Sequence, residues 1–376
     1  MGVGLDIAKK PEGPVSHAVR YTSLDLLKAI AIALVIFIHL SFTEGDIVES
    51  QSINTYIGYI IRSINSCSVP LFFFVNGALL FGRPLDIHKH IKKILHLIFL
   101  TIVWSILTII MLMLIKGVLL SPTDFVTFIW TIKFGWTNHL WFLGALVVCY
   151  ILFPILKSTF DNNLYWFRLF FWVALIMTIG TVTLSYLANF LQWILGLNLF
   201  TGTKNFFWIF NPFTGSVQWW VVVFFMMGGL LFPKREKLVQ RVSMRAAILL
   251  ILVSALSLFL YGLSQTLRTG VQFDIQCATY ASPMTLIMVI SFFVISLHSH
   301  PKDHLSSIVQ TLGSNTLGIY FIHWILLPFL RPLFKILPDY GTLPIDIVCV
   351  TALLFSSLGL TLLMKKIPGI KYLVRI

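Results

Sequence analysis

One apolar run holds three residues that could do chemistry together. From Leu24 to Leu40 the sequence is apolar except for Asp25, Lys28 and His39. At about 100° per residue, the step from Lys28 to His39 leaves the two about 20° apart around a helix. They share one stripe. Asp25 falls within about 40° of it, three residues before Lys28, near enough to pair with that amine. A rise of about 1.5 Å per residue carries His39 about 16 Å beyond Lys28 and about 21 Å beyond Asp25. Direct contact between Asp25 and His39 is therefore excluded. The pattern offers a charged mouth and, deep in an apolar layer, an imidazole able to act as general base or as nucleophile. The plainer alternatives are a lysine snorkelling to headgroups and a polar residue closing a helix. Ionisable groups inside a membrane are costly to keep, which favours function.

Other candidates group around the two ends of that stripe. Arg20, Arg83, Lys92 and Lys93 fall at the Lys28 end, where guanidinium and ammonium groups could hold phosphates. His139 and Trp141 open a later apolar run and either anchor a membrane interface or wall a cavity. His323 lies about 21 Å into its own run, close to the depth of His39, and reads as a second polar wall or as a satisfied core histidine. Arg62 and Arg331 face an anionic ligand or snorkel outward. His298, His300 and His304 with Asp303, and likewise His88 and His90, read as solvated loops and not as metal ligands. Cys67, Cys149, Cys277 and Cys349 form no CxxC pair and read as small core residues. No phosphate-binding loop, dinucleotide fingerprint or nucleophile elbow is present.

The elements that must position these residues are membrane helices. Hydrophobic residues make up 58% of the 376 and charged residues 11%, with a mean hydropathy of +0.91. A soluble domain carries about 25% charged residues, so a soluble enzyme, a disordered chain and a disulfide scaffold are all excluded. Ten apolar stretches, near 24–42, 64–82, 93–115, 139–156, 164–187, 216–232, 245–263, 279–297, 309–330 and 344–364, predict an all-α polytopic protein of about ten spans. With both termini cytoplasmic, 20 of the 27 Lys and Arg fall on the inner side, a positive-inside bias that supports this orientation. The net charge of +13 therefore records topology and gives no reason to expect nucleic acid. The division that follows is a cytoplasmic tail over 1–23, with its first helix retained, a membrane domain over 24–364 and a cytoplasmic tail over 365–376. Outer segments near 43–55, with Glu44, Asp46 and Glu49, and near 188–215 are candidate acceptor-side loops.

A resemblance now becomes visible. Arg20 through Lys28, with Asp25 preceded by Leu24 and His39 following after ten residues, resembles the opening signature of the membrane acyltransferase-3 family. Ser68-Val-Pro70-Leu-Phe-Phe-Phe-Val-Asn76-Gly77, His139-Leu-Trp141-Phe with Tyr150 and Pro154, and Asn315-Thr-Leu-Gly318-Ile-Tyr320-Phe-Ile-His323 resemble its later segments, in order along nearly the whole chain. Asn76 stands where the family usually has Ser, and Gly144 where some branches place Glu, which is similar to the short, stand-alone branch. The resemblance implies acyl-CoA, usually acetyl-CoA, as co-substrate, with no permanently bound cofactor. It implies a hydroxyl acceptor on an envelope or surface polysaccharide or its lipid-linked precursor, in a bacterial inner membrane. His39 would meet the thioester. Arg20, Asp25, Lys28, Arg83, Lys92 and Lys93 would form or support the donor mouth, and Asn76, His139, Trp141, Tyr320 and His323 the acceptor side or cavity wall. The rival from another class is a polysaccharide or glycolipid exporter without chemistry, for which Pro70 would break a helix.

Overall fold

A computed structural model of the chain describes residues 20–40, 46–130, 135–195, 219–299 and 301–375. Among these residues the only regular structure is helical, joined by turns and loops, with no strand. Eight helical stretches are long and apolar enough to cross a membrane: Thr22–His39, Ile53–Phe81, Ile87–Lys116, Trp136–Asn162, Leu164–Gln192, Met244–Thr269, Asp303–Phe334 and Leu343–Lys366. The other two expected spans coincide with shorter helices, Trp220–Leu231 of 12 residues and Pro283–His298 of 16. Both are rich in buried residues, because helices enclosed by others need not match the full lipid thickness. The chain is a multi-pass membrane protein.

The boundaries follow local chemistry. Helix α1 runs Thr22–His39, α2 Ile53–Asn65, α3 Ser68–Phe81 and α4 Ile87–Lys116. The expected second span thus begins earlier, as α2, and bends at Ser66–Cys67 before α3. Asp86 caps α4 by accepting from Lys89 N at 3.1 Å, and Gly117 ends it at φ +61°. Helix α5 is Pro122–Trp130, α6 Trp141–Asn162, α7 Leu164–Leu175 and α8 Thr181–Leu195, the last two joined by a π-turn. Helix α6 therefore outlasts its apolar run. Its Lys157 is buried and donates to Phe81 O at 3.0 Å and to Asp161 at 2.6 Å, closing the end of α3 with a cation.

Helix α9 is Trp220–Leu231, α10 Arg235–Arg241, α11 Met244–Thr269, α12 Pro283–His298, α13 Asp303–Phe334 and α14 Leu343–Lys366. Helix α1 is central, packed against α3, α12, α13 and α14. Large apolar side chains on α4 and α11, such as Leu95, Phe99, Leu114, Leu249 and Leu260, face outward, as lipid-facing surfaces require. The tightest joint is α3 on α9. An added Cβ at Gly77 would lie 1.7 Å from Phe225 O, and one at Gly228 1.9 Å from Phe74 O. Only glycine permits that backbone approach.

Candidate functional site

The mouth is assembled where α1 meets α13. Arg20 Nε donates to Asp25 Oδ2 at 2.6 Å, and Lys28 Nζ pairs with Asp25 Oδ1 at 2.9 Å. Asp25 is 4% exposed, and such a buried carboxylate needs both partners. Arg20 also donates to Gln310 O and Ser314 Oγ, each at 2.6 Å, tying α1 to α13. Gly313 makes this approach possible: an added Cβ there would lie 2.7 Å from Asp25 Oδ1.

Beyond this pair opens a cavity of about 440 Å³ bearing Lys28, Lys93, Lys365 and Arg375. Of the cations expected at the mouth, Lys28 and Lys93 line it, Arg20 braces it through Asp25, and Arg83 and Lys92 are exposed outside its lining. Lys365 and Arg375 escaped the sequence reading, which set them in a cytoplasmic tail. Lys365 donates to Asn315 Oδ1 at 2.5 Å. Asn76 lines the same cavity: it accepts from the Tyr150 hydroxyl at 2.9 Å and donates to Phe72 O at 2.8 Å. Lys93 lies 5.2 Å over the Tyr150 ring, and His90 Nε2 donates to Tyr150 O at 2.7 Å. His90 is therefore buried on α4 and not in a solvated loop. Its helix begins earlier than the apolar run because Asp86 caps it.

A second cavity, of about 140 Å³, holds His39, His139, Trp141, Gln276, Cys277 and Trp324 in its wall. His39 is the last residue of α1, and Arg331 fixes that end by donating to His39 O at 2.9 Å. A charged donor on the last carbonyls also suits the negative end of the helix dipole. The His39 ring stacks on His323, centroids 5.5 Å apart, and meets Trp324 edge-on at 4.9 Å. Trp324 in turn stacks on His139 at 4.6 Å. His323 Nδ1 lies 3.1 Å from Ile319 O. A carbonyl only accepts, so that nitrogen carries the proton and, in the neutral ring, Nε2 presents a lone pair. Buried His323 Nε2, His139 Nδ1 and Trp324 Nε1 have no hydrogen-bond partner among the described residues. Three such atoms around one imidazole suit a polar ligand.

Phe72, Phe142 and Tyr320 line both cavities. The structure thus brings together Lys28, Lys93, Asn76 and Tyr320 on one side and His39, His139, Trp141 and Tyr320 on the other, with His323 behind His39. Cys277, expected as a small core residue, is exposed in a loop and lines the cavity beside Gln276, because tertiary folding brings that loop over it. His298 closes α12 and donates from Nε2 to Val242 O at 2.9 Å. Asp303 and His304 start α13, and His300, Glu44 and most of the 188–215 segment lie outside the described residues.

A half-buried imidazole and a cationic cavity thus lie along one helix of an all-helical membrane fold. The chain matches the family model described as "Acyltransferase domain" over residues 21–365, nearly its whole length, and belongs to that acyltransferase-3 family. Its activity is of the acyltransferase type. No individual curated protein and no solved structure matches it.

Proposed function

We propose that the protein takes an acyl group, normally acetyl, from cytoplasmic acyl-CoA and delivers it to a hydroxyl of an envelope or surface polysaccharide or its lipid-linked precursor, in a bacterial inner membrane. The observation that carries this reading is the pair of cavities along α1, one with four cations and one with His39. Lys28, Lys93, Lys365 and Arg375 suit the phosphates of the donor, and the pantetheine arm covers the remaining distance to His39. There the imidazole takes the acceptor's hydroxyl proton as its oxygen attacks the thioester carbon. The C–S bond breaks, and the departing thiolate recovers the proton from the imidazolium. In the two-step variant the His39 nitrogen itself attacks and carries the acyl group as an acyl-imidazole before the hydroxyl takes it. An exporter without chemistry has no use for a nucleotide-sized cationic cavity on the histidine stripe.

The test is acyl-CoA consumption and acyl incorporation in membranes bearing the full chain. His39→Ala and His39→Gln should lose at least about 10²–10⁴ in rate while remaining folded and still binding acyl-CoA. Rapid denaturation at neutral pH, after labelled acyl-CoA is added without acceptor, separates the routes, since only the acyl-imidazole leaves label on the wild-type chain. Transfer by either variant at the wild-type rate would refute the proposal.

A further inference from the structure

The two cavities meet at three rings. Phe142, the second residue of α6, lies between Phe72 on α3 and Tyr320 on α13, with ring centroids 5.7 Å and 5.5 Å away. Phe142 and Phe72 are each 8% exposed and Tyr320 7%. The Tyr320 hydroxyl donates to His139 O, which holds that ring in place. Phe72 belongs to α3, which is locked on α9 through Gly77 and Gly228. Phe142 is backed by the Phe73 ring, 5.2 Å away between centroids. Its other two neighbours are thus anchored, which leaves Phe142 as the ring between the two cavities that a substitution can trim.

We propose that Phe72, Phe142 and Tyr320 form a septum that selects the donor by the size of its acyl group, with Phe142 as the main determinant. The inference rests on the acyl-transfer reading above. The cations line the larger cavity and His39 the smaller, so the acyl end of the donor must pass the three rings to react. Once past them it shares a cavity of about 140 Å³ with the acceptor hydroxyl. An acetyl group fits that space beside a hydroxyl. A hexanoyl group, four methylenes longer, competes with the acceptor for it. One surplus methylene in a pocket shaped for a shorter chain typically costs about tenfold or more in kcat/KM. Cutting Phe142 back to Ala merges the two spaces and removes both the narrow passage and the closed wall, with no change to His39 or to the cations.

The experiment uses the full chain in its native membranes, with radiolabelled acetyl-, butyryl- and hexanoyl-CoA as probes and acyl incorporation into the membrane glycan fraction as readout. Wild type should prefer acetyl over hexanoyl by at least about 100-fold. Phe142→Ala should narrow that ratio at least tenfold. Phe142→Leu and Phe72→Leu, which keep the site packed should the alanine variant fail to fold, should narrow it in the same direction by a smaller factor. Phe99→Leu, on the outward face of α4, should leave it unchanged. A wild type that consumes none of the three thioesters overturns the acyl-transfer reading. A wild type that transfers acetyl while the folded Phe142 and Phe72 variants keep its acyl-length ratio overturns the septum.

Discussion

Gly313→Ala tests the contact between α1 and α13 with a single methyl group. A Cβ built at that position would lie 2.7 Å from both Asp25 Cβ and Asp25 Oδ1, and 2.8 Å from Asp25 Cα. Carbon atoms settle at about 3.5–4.0 Å, so the helices must part by about 1 Å where Asp25 holds Arg20 and Lys28. Backbone and a buried carboxylate cannot give way as a flexible side chain would. Overpacking of this kind costs about 1–3 kcal/mol. The same shift displaces Lys28 from its place in the cationic cavity, and the KM for acyl-CoA should rise about tenfold, equivalent to ~1.4 kcal/mol. Thermal unfolding can be followed with a thiol-reactive fluorophore in a Cys277→Ser background, because Cys67, Cys149 and Cys349 are buried and react only on unfolding. The variant should unfold several degrees below its parent. Gly144→Ala and Gly359→Ala are the controls: nothing lies within 4 Å of a Cβ at either position, and both sit inside helices, where alanine is favoured by up to ~1 kcal/mol. If Gly313→Ala unfolds at the parent temperature with an unchanged KM, the close approach at Asp25 is not what organises the mouth.

Three other outcomes are expected. Lys28→Ala should raise the KM for acyl-CoA more than it lowers kcat, and Lys365→Ala should do the same, since both line the cationic cavity away from the reacting carbon; a fall in kcat alone would contradict the donor assignment. Arg331→Ala removes the donor that holds His39 O, a charged hydrogen bond worth about 1.5–3 kcal/mol, so kcat should fall by tenfold or more with the donor KM unmoved. Cys277 lies in the loop between α11 and α12, where desolvation of its sulfur, then the charge of Asp274, push the thiol up to about 11. The thiolate is the reactive form, so maleimide labelling should be slow at pH 7 and gain about tenfold per pH unit up to that value, and labelled protein should lose acyl transfer because Cys277 lines the His39 cavity.

The sequence carried more of the site's axis than of its walls. Asp25, Lys28 and His39 lie on one helix, so their spacing alone places them on a common stripe, and the ion pair of Asp25 with Lys28 follows from a three-residue step. The apolar runs likewise locate the helices, because a membrane demands about 20 apolar residues from each full span. What periodicity cannot convey is which helices meet. Lys365 and Arg375 reach the cationic cavity only because α14 and the C-terminal turn fold back toward α13. His90 looked solvated because its neighbours are charged, yet the turn of α4 that bears it faces Tyr150. Trp324 stands beside a conspicuous histidine and gives no signal of its own, and its place against both His39 and His139 depends on three separate helices converging.

The glycine joint between α3 and α9 has a consequence for handling the protein outside its membrane. In water, helices adhere because water expels their apolar faces. Lipid tails are as apolar as leucine and supply no such push, which leaves close shape-fitting to do the holding. Adhesion through the backbones at Gly77 and Gly228 owes nothing to the surrounding solvent. Exchanging bilayer for detergent should therefore leave this pair seated, and solubilisation damage should begin at the α7–α8 arm, the least buried of the eight spans.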